Sequence, residues 1–215
     1  MKIKYFNIIT TANHEELHRF FLDNPFNENK GWGFSIEKYS SEYLYVKYSE
    51  KVNIIEDVID PYGCISYFEY NKYINFYFYL FKRNNLSYPL LIESSPRSIK
   101  NFILNLNQIS NHRLKLENKT FDIDSLIRIF KEESFEMKIK SIKVKNLVIS
   151  KYTSANIELT SSKDAHLDLN NYFNEPKYII DKIKLITNDT TYEITTNGSV
   201  ITTEEDIEKI YSLLS

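Results

Sequence analysis

The sequence predicts an α+β fold in which an N-terminal, mostly antiparallel and aromatic-rich sheet with one or two helices precedes a C-terminal unit of hairpins and capped helices. Period-two alternation over residues 73–81 indicates a strand with two different faces. Apolar residues at helical spacing over 99–106 indicate a helix lying on a sheet. Composition changes near residue 110, since 23 of 32 aromatic residues precede it and ten of twelve threonines follow it. We therefore predict two domains, residues 1–110 and 111–215.

The first elements are a strand and a capped helix. Residues 2–10 are predicted to form the strand, because apolar and β-branched residues dominate this stretch. Asn13, followed three residues later by Glu16, matches a capping box, in which each side chain accepts a backbone N–H of the other residue. The apolar stripe of the helix that follows consists of Leu17, Phe20 and Phe21.

Residues 34–93 are predicted to form an antiparallel meander. Asp60-Pro61-Tyr62-Gly63 fits a type I turn, and a second polar turn is expected over residues 83–87. Cys64 opens the aromatic strand, and we expect a small buried thiol there, because no signature of a cysteine enzyme surrounds it. Ser95-Pro96 then predicts a helix start, with a hydroxyl cap and a proline at the first helical position.

The C-terminal half is predicted to alternate strands with capped helices. The predicted elements are a strand (113–117), a helix (122–131), a hairpin (137–149 and 155–160), a helix (163–173), three strands (178–187, 192–196 and 199–202) and a closing helix. The closing helix begins with a capping box at Thr202 and Glu205. Its apolar face consists of Ile207, Ile210, Tyr211 and Leu214. Asn197-Gly198 is the strongest hairpin signal in the chain. The two predicted hairpins resemble each other, which indicates either an internal ββα duplication or the general likeness of alternating strands.

Composition bounds the class of protein. The net charge of −2 gives no overall attraction to phosphate or anionic lipid. Twenty-two of the 27 basic residues are lysine, a bias that indicates an AT-rich bacterial genome rather than selection for nucleic acid. No apolar run reaches the 18 residues of a membrane span, the N-terminus is unlike a secretory signal, and a single cysteine excludes an internal disulfide. We expect a cytoplasmic protein without a cofactor.

Five tyrosines are the strongest candidate for a binding surface. Alternation places them on one side of neighbouring strands, and together they form what we call the tyrosine face: Tyr43, Tyr45, Tyr73, Tyr77 and Tyr79. Tyrosine is enriched at the centres of protein interfaces, because it supplies contact area with few rotors and a polar tip. The same rings can stack unpaired bases. The alternative is that a helix, or the second half of the chain, covers them.

A lysine-rich strand is the second candidate. Its basic residues are Lys138, Lys140, Lys143 and Lys145, with Lys151 beyond. They could follow a phosphate backbone, but their spacing divides them between the two faces of the strand. Lysines also protect the open edge of a sheet from mispairing, and we favour that interpretation.

His14-Glu15-Glu16-Leu17-His18 matches the H-E-x-x-H pattern of zinc hydrolases. On a helix this spacing sets two imidazoles one turn apart, with the first glutamate as general base. The context is unfavourable, because Glu16 and Arg19 place charges where the motif requires an apolar helix, and no third ligand is evident. A solvated first helical turn is the favoured interpretation, and no metal site is predicted.

Two acidic patterns also match metal-site motifs, and neither predicts a metal site. Glu117-Asn118-Lys119 matches the E-x-K of magnesium-dependent nucleases, but the nearest upstream acid, Glu93, lies beyond an entire helix. Glu56, Asp57 and Asp60 cluster before a turn, and alternation places Glu56 and Asp57 on opposite faces, which argues against a shared metal. Polar strand ends explain both patterns.

The sequence therefore favours a non-catalytic interaction or adaptor subunit of a bacterial cytosolic complex. Its uneven, AT-rich composition is compatible with the accessory genome, such as a phage-defence or mobile-element system. The expected partner is another protein subunit that binds the tyrosine face. A nucleic-acid-binding module that combines the tyrosines with the lysine strand is the alternative, and a zinc- or magnesium-dependent hydrolase or nuclease is the second alternative. No membrane partner is expected.

Overall fold

The structure is a computed structural model, and it describes residues 1–82, 87–133, 137–173, 177–187, 190–203 and 211. It is mixed and sheet-rich, which confirms the α+β class. The strands are β1 (Lys2–Thr10), β2 (Trp32–Tyr39), β3 (Tyr43–Ile59), β4 (Ile65–Phe81), β5 (Ser87–Glu93), β6 (Leu114–Asn118), β7 (Lys138–Ser150), β8 (Thr153–Thr160), β9 (Ile179–Thr187), β10 (Thr190–Thr195) and β11 (Ser199–Ile201). The helices are α1 (His14–Leu22), α2 (Lys100–Ile109), α3 (Ile123–Glu133) and α4 (Ala165–Phe173).

The chain divides into two compact units. One contains residues 7–117, and the other contains residues 1–6 together with residues 118–215. The first residues of β1 therefore belong to the unit that holds the C-terminal half of the chain.

In the unit of residues 7–117, the strands follow the order β2-β3-β4-β5, and each adjacent pair is antiparallel, which confirms the predicted meander. β3 and β4 form 17 successive residue pairs, from Tyr43 opposite Phe81 to Ile59 opposite Ile65, without a bulge. Opposed residues of an antiparallel pair share a face. All odd-numbered residues of β3 and β4 therefore lie on one face, the odd face, and all even-numbered residues lie on the other, the even face.

The even face forms the core of this unit near β2 and β5. Phe102 of α2 lies 5.2 Å from the Tyr48 and Phe76 rings and 5.3 Å from the Phe78 ring, measured between centroids. Phe21 of α1 lies 5.5 Å from Phe78. Full burial of each such side chain contributes about 1.5–3 kcal/mol to stability. Both helices are thus held on the even face by aromatic contacts.

The two helices of this unit differ in how well their starts were predicted. The capping box of α1 is confirmed, since Asn13 Oδ1 accepts the Glu16 N–H and Glu16 Oε2 accepts the Asn13 N–H, each at 2.9 Å. The predicted start of α2 at Ser95-Pro96 is wrong, because α2 begins at Lys100. The Ser95 hydroxyl donates to the Pro96 carbonyl instead of capping the helix, and no side chain caps Ile99.

The other unit has the strand order β11-β10-β9-β7-β8, with the first residues of β1 beside β11. β7 with β8 and β9 with β10 form the two predicted hairpins. Gly198 adopts φ of 80° in the predicted turn, and a Cβ there would lie 2.2 Å from the Lys119 carbonyl oxygen, so glycine is required. Residues 83–86 and 188–189 of two predicted turns lie outside the described residues, as does the closing helix except for Thr202, Thr203 and Tyr211.

Candidate interaction surface

The outer half of the β3–β4 hairpin extends beyond its neighbouring strands. β2 pairs with β3 only as far as Glu50, and β5 pairs with β4 only from Phe78 to Leu80. Residues 53–71, which we call the arm, form a two-stranded ribbon with no further strand at either edge in the described part of the chain. At about 3.3 Å per residue, the seven residues 53–59 extend about 20 Å. The arm is thus long enough to enter a cleft in a partner.

The arm exposes large apolar side chains on both of its faces. Seven of the twenty such side chains exposed in the described part of the chain lie within residues 55–68: Ile55, Val58, Ile59, Tyr62, Ile65, Tyr67 and Phe68. Tyr62, at the tip, is 92% exposed. Large exposed apolar patches are typical of interaction sites, and the arm concentrates such side chains in one short segment.

Local bonds shape the arm into a defined hairpin. Asp60 Oδ1 accepts the N–H groups of Tyr62 and Cys64 at 2.8 Å, and the Gly63 N–H donates to the Asp60 carbonyl at 3.0 Å. Gly63 adopts φ of 82°, so the predicted type I turn is confirmed and is followed by a left-handed residue. Farther from the tip, the Tyr70 hydroxyl donates to Glu56 Oε1 at 2.9 Å.

Cys64 lies beside this turn and is exposed. The expectation of a buried thiol is therefore wrong. Its physical basis was that Cys64 opens an aromatic strand, but that strand begins at the tip of the arm, about 20 Å along the hairpin from the core at 3.3 Å per residue.

The tyrosine face divides into buried, half-buried and exposed members. Tyr45 stacks on Tyr79 with centroids 4.4 Å apart and on Tyr77 at 5.5 Å, and all three rings are half-buried. Tyr73 is 47% exposed, and its hydroxyl donates to Glu28. Tyr43 is only 7% exposed, so it supports the stack without presenting a surface of its own. The structure thus places all five on the odd face and brings three of them into one open stack.

A carboxylate adjoins this stack. The Tyr45 hydroxyl donates to Glu93 Oε2 at 3.3 Å. Burial, together with the Glu93 charge, raises the pKa of Tyr45 and raises the pKa of Tyr79 to about 12. Both phenols therefore stay protonated at neutral pH, and the stack presents neutral rings with the Glu93 carboxylate beside Tyr45 and the Lys47 ammonium beside Tyr77.

The four candidate lysines lie on β7, which pairs with β8 on one side and β9 on the other. The favoured interpretation that they protect a sheet edge is therefore wrong for Lys143 and Lys145, because β8 and β9 flank that part of β7; β8 pairs only from Ser141 onward, beyond Lys138 and Lys140. Lys145 forms an ion pair with Asp181, and the Lys140 ammonium donates to the Ser162 carbonyl at 3.3 Å. Lys143 lies opposite Glu158, while Lys138 is exposed. Carboxylates thus accompany part of this basic strand.

The H-E-x-x-H residues begin α1. His14 is buried and His18 half-buried, and the two imidazoles stack on the Tyr39 ring with centroids 5.7 and 4.3 Å away. Glu15 is exposed in the first turn. Among the described residues, no group of three or more His, Cys, Asp or Glu side chains is placed to hold a metal ion. In the E-x-K motif of residues 117–119, Glu117 forms an ion pair at 2.6 Å with Lys115 on the same strand.

Comparison with known proteins gives no family for this chain. No protein-family model matches it, and no curated protein matches it as a relative. Within the described residues, none of the helices has the length and apolar character needed to cross a membrane. Function is therefore inferred from the surface itself.

The exposed arm is the candidate interaction feature that sequence reasoning missed. One signal was present: over residues 53–71 apolar residues fall on both faces of the alternating pattern, which leaves the strands without a polar side. Such a pattern is typical of a strand buried on both faces within the fold, and equally of an exposed ribbon with apolar side chains on both faces. The sequence alone does not distinguish these two arrangements.

Proposed function

We propose that this protein is a non-catalytic interaction subunit that binds another protein through the odd face of the β3–β4 hairpin. The observation that carries the proposal is the open stack of Tyr45, Tyr77 and Tyr79, which continues along the same face to the exposed Tyr73. Rigid aromatic side chains with polar tips dominate the binding energy of protein interfaces. A half-buried stack is also pre-ordered, which lowers the entropy lost on binding.

The neighbouring charge favours a protein over a nucleic acid at this face. Glu93 places a carboxylate beside the tyrosine stack, where it would repel a phosphate backbone. Lys47, opposite Tyr77 on the same face, offsets part of this repulsion, whereas the four lysines of the candidate basic strand belong to the other unit, and two of those four have carboxylate neighbours. The proposal extends to the role expected from composition, an adaptor in a bacterial cytosolic complex.

Site-specific crosslinking in the native host tests the proposal. A photo-crosslinking phenylalanine analogue replaces Tyr73 or, in a second strain, Tyr77. Tyr172, which is 83% exposed and lies in the other unit, provides the control position. We expect Tyr73 and Tyr77 to give an adduct with one defined protein and Tyr172 to give none. Equal adducts at all three positions would contradict the proposal.

Affinity measurements on the purified pair then quantify it. The double variant Tyr77→Ala, Tyr79→Ala is expected to weaken binding at least about 30-fold, as loss of an aromatic hot spot does. Tyr73→Ala, at an exposed position, is expected to weaken it about tenfold. Tyr172→Ala is the matched control. Unchanged affinity in the double variant, with its fold verified by circular dichroism, would refute the proposal, whereas salt-dependent binding of single-stranded DNA would support the nucleic-acid alternative.

A further inference from the structure

The arm carries a charge pattern that defines the chemistry of what it binds. Residues 53–71 contain four carboxylates, Glu56, Asp57, Asp60 and Glu69, and no lysine, arginine or histidine. The whole chain has nearly equal numbers of basic and acidic residues, 27 and 29, so the arm is unusual in carrying acidic residues alone. Among the described residues, none of the four forms an ion pair.

The carboxylates alternate with the exposed apolar side chains. Asp57 lies opposite Tyr67, Glu56 lies opposite Phe68, and Glu69 lies opposite Ile55. Each face of the arm therefore combines apolar contact area with negative charge. Asp60 differs from the other three carboxylates, because it accepts backbone N–H groups of the turn.

These charges exclude several occupants. Two arms of this protein would bring eight carboxylates together, and charges on a strand edge oppose pairing with another copy. A nucleic acid or an anionic membrane would be repelled as well. The partner surface that fits the arm has an apolar centre and a basic rim. Apolar contact supplies binding energy, while opposite charge orients and accelerates association.

We propose that the arm inserts into an apolar cleft of a partner protein whose rim carries lysine and arginine side chains. Ile59, Tyr62 and Ile65 at the tip fill the cleft, and Glu56, Asp57 and Glu69 face its basic rim. This inference rests on the proposed function only in requiring a protein partner, and it does not require the tyrosine face to bind.

Crosslinking from the arm identifies the occupant. The photo-crosslinking analogue replaces Phe68 or Tyr67 in the native host, and Tyr152, 87% exposed in the other unit, is the control. We expect an adduct with one protein, joined at a site whose neighbours include apolar residues and several lysines or arginines. An adduct with a second copy of this chain, a nuclease-sensitive adduct or no adduct specific to the arm would overturn the inference.

Variants of the arm measure the charge contribution on the purified pair. The triple variant Glu56→Gln, Asp57→Asn, Glu69→Gln keeps hydrogen-bonding groups at these positions, and we expect it to bind about tenfold more weakly at low salt, mainly through slower association. Wild-type affinity is expected to fall between 50 and 500 mM NaCl, roughly the range over which charge screening increases, and the variant is expected to fall less. Glu132→Gln, at an exposed position in the other unit, is the matched control.

Replacement of residues 53–71 by Asn-Gly removes the arm and is expected to reduce binding at least about 30-fold. If this variant and the triple variant bind as tightly as wild type while Tyr77→Ala, Tyr79→Ala does not, the inference fails and the proposed function stands. If the arm variants lose binding and the tyrosine variant does not, the tyrosine face is wrong and the arm is right.

Discussion

The two halves of the β3–β4 hairpin use the same strands in the same register but lie in different surroundings. In the root, which comprises residues 43–50 and 74–81, the even face is buried against α1 and α2. In the arm, Phe68 on that same face is 59% exposed. The 17 residue pairs continue without a bulge from one half to the other. The pairing register is therefore constant along the hairpin, and the root differs from the arm in its packing layer and in the flanking strands β2 and β5.

This difference assigns different roles to similar side chains. Burial of apolar surface stabilises the fold by about 25 cal/mol per Å², and the root gains this energy from Phe21 and Phe102 of the two helices. The apolar side chains of the arm gain little of it in the isolated chain, so their burial energy is available to a binding partner. Apolar content stabilises the unit in the root, and in the proposal above it serves recognition in the arm.

Two phenylalanines ten residues apart on β4 provide the strongest test of this comparison. Phe78 is fully buried, whereas Phe68 is exposed on the same face. We expect Phe78→Ala to lower the free energy of unfolding by about 3–5 kcal/mol, because it removes buried contacts and leaves a cavity. Phe68→Ala is expected to change it by less than about 0.5 kcal/mol. Urea unfolding followed by the fluorescence of Trp32, the only tryptophan, reports on the unit of residues 7–117.

If Phe78→Ala does not fold, Phe78→Leu takes its place in the comparison. We expect Phe78→Leu to lower the free energy of unfolding as well, but by less than Phe78→Ala. A large loss in Phe68→Ala would mean that the arm belongs to the folding core, which would break the distinction between root and arm. Similar small losses in both variants would also contradict it.

A matched pair of tyrosines gives the next largest effect. Asn105 Nδ2 donates to the Tyr48 hydroxyl at 2.7 Å inside the root. We expect Tyr48→Phe to lower the free energy of unfolding by about 1–3 kcal/mol, because the buried Asn105 amide loses its acceptor. Tyr70→Phe in the arm removes the bond to Glu56 at an exposed site, where water replaces it. The same unfolding measurement should find no change in Tyr70→Phe, and equal losses in the two variants would contradict the comparison.

Local patterns predicted much of the root. Alternation over 73–81 predicted which residues of β4 share a face, and the Asn13–Glu16 capping box predicted the start of α1, because both depend on neighbours in sequence. The predicted start of α2 at Ser95-Pro96 was wrong because the Ser95 hydroxyl bonds to the adjacent carbonyl instead. A favourable residue at a cap position permits a helix start but does not require one.

The surroundings of each strand could not be predicted from the same patterns. The lysines of β7 resembled an edge strand, yet β8 and β9 pair with it on both sides from Ser141 onward, and this follows from strand order rather than from composition. Cys64 resembled a core residue because it opens an aromatic strand, but it is exposed, as is Phe68 in the strand that follows. Burial of a strand depends on residues distant in sequence, and alternation carries no information about them.

The smallest predicted effect concerns the pH dependence of the root. Burial lowers the pKa of His14, whose two ring nitrogens have no hydrogen-bond partner among the described residues; the nearby Ser40 backbone opposes this effect, and the charges of Lys82 and His18 lower the pKa further. A histidine in the unfolded chain titrates near 6.5. Because the folded pKa is the lower one, the stabilising contribution is complete above about pH 6.5 and is lost as pH falls towards the folded value. The arm contains no histidine, so this dependence comes from α1, which packs on the root.

His14→Phe tests this dependence, since the phenyl ring can keep the stacking on Tyr39 and cannot be protonated. Wild-type unfolding free energy, followed by Trp32 fluorescence, should fall between pH 7.5 and pH 5, and the fall should be smaller in His14→Phe. His166 also has a pKa lowered by burial but lies in the other unit, so His166→Phe is the matched control and should leave the Trp32 pH profile unchanged. Identical pH profiles for wild type and His14→Phe would mean that the packing of α1 on the root does not depend on a neutral imidazole.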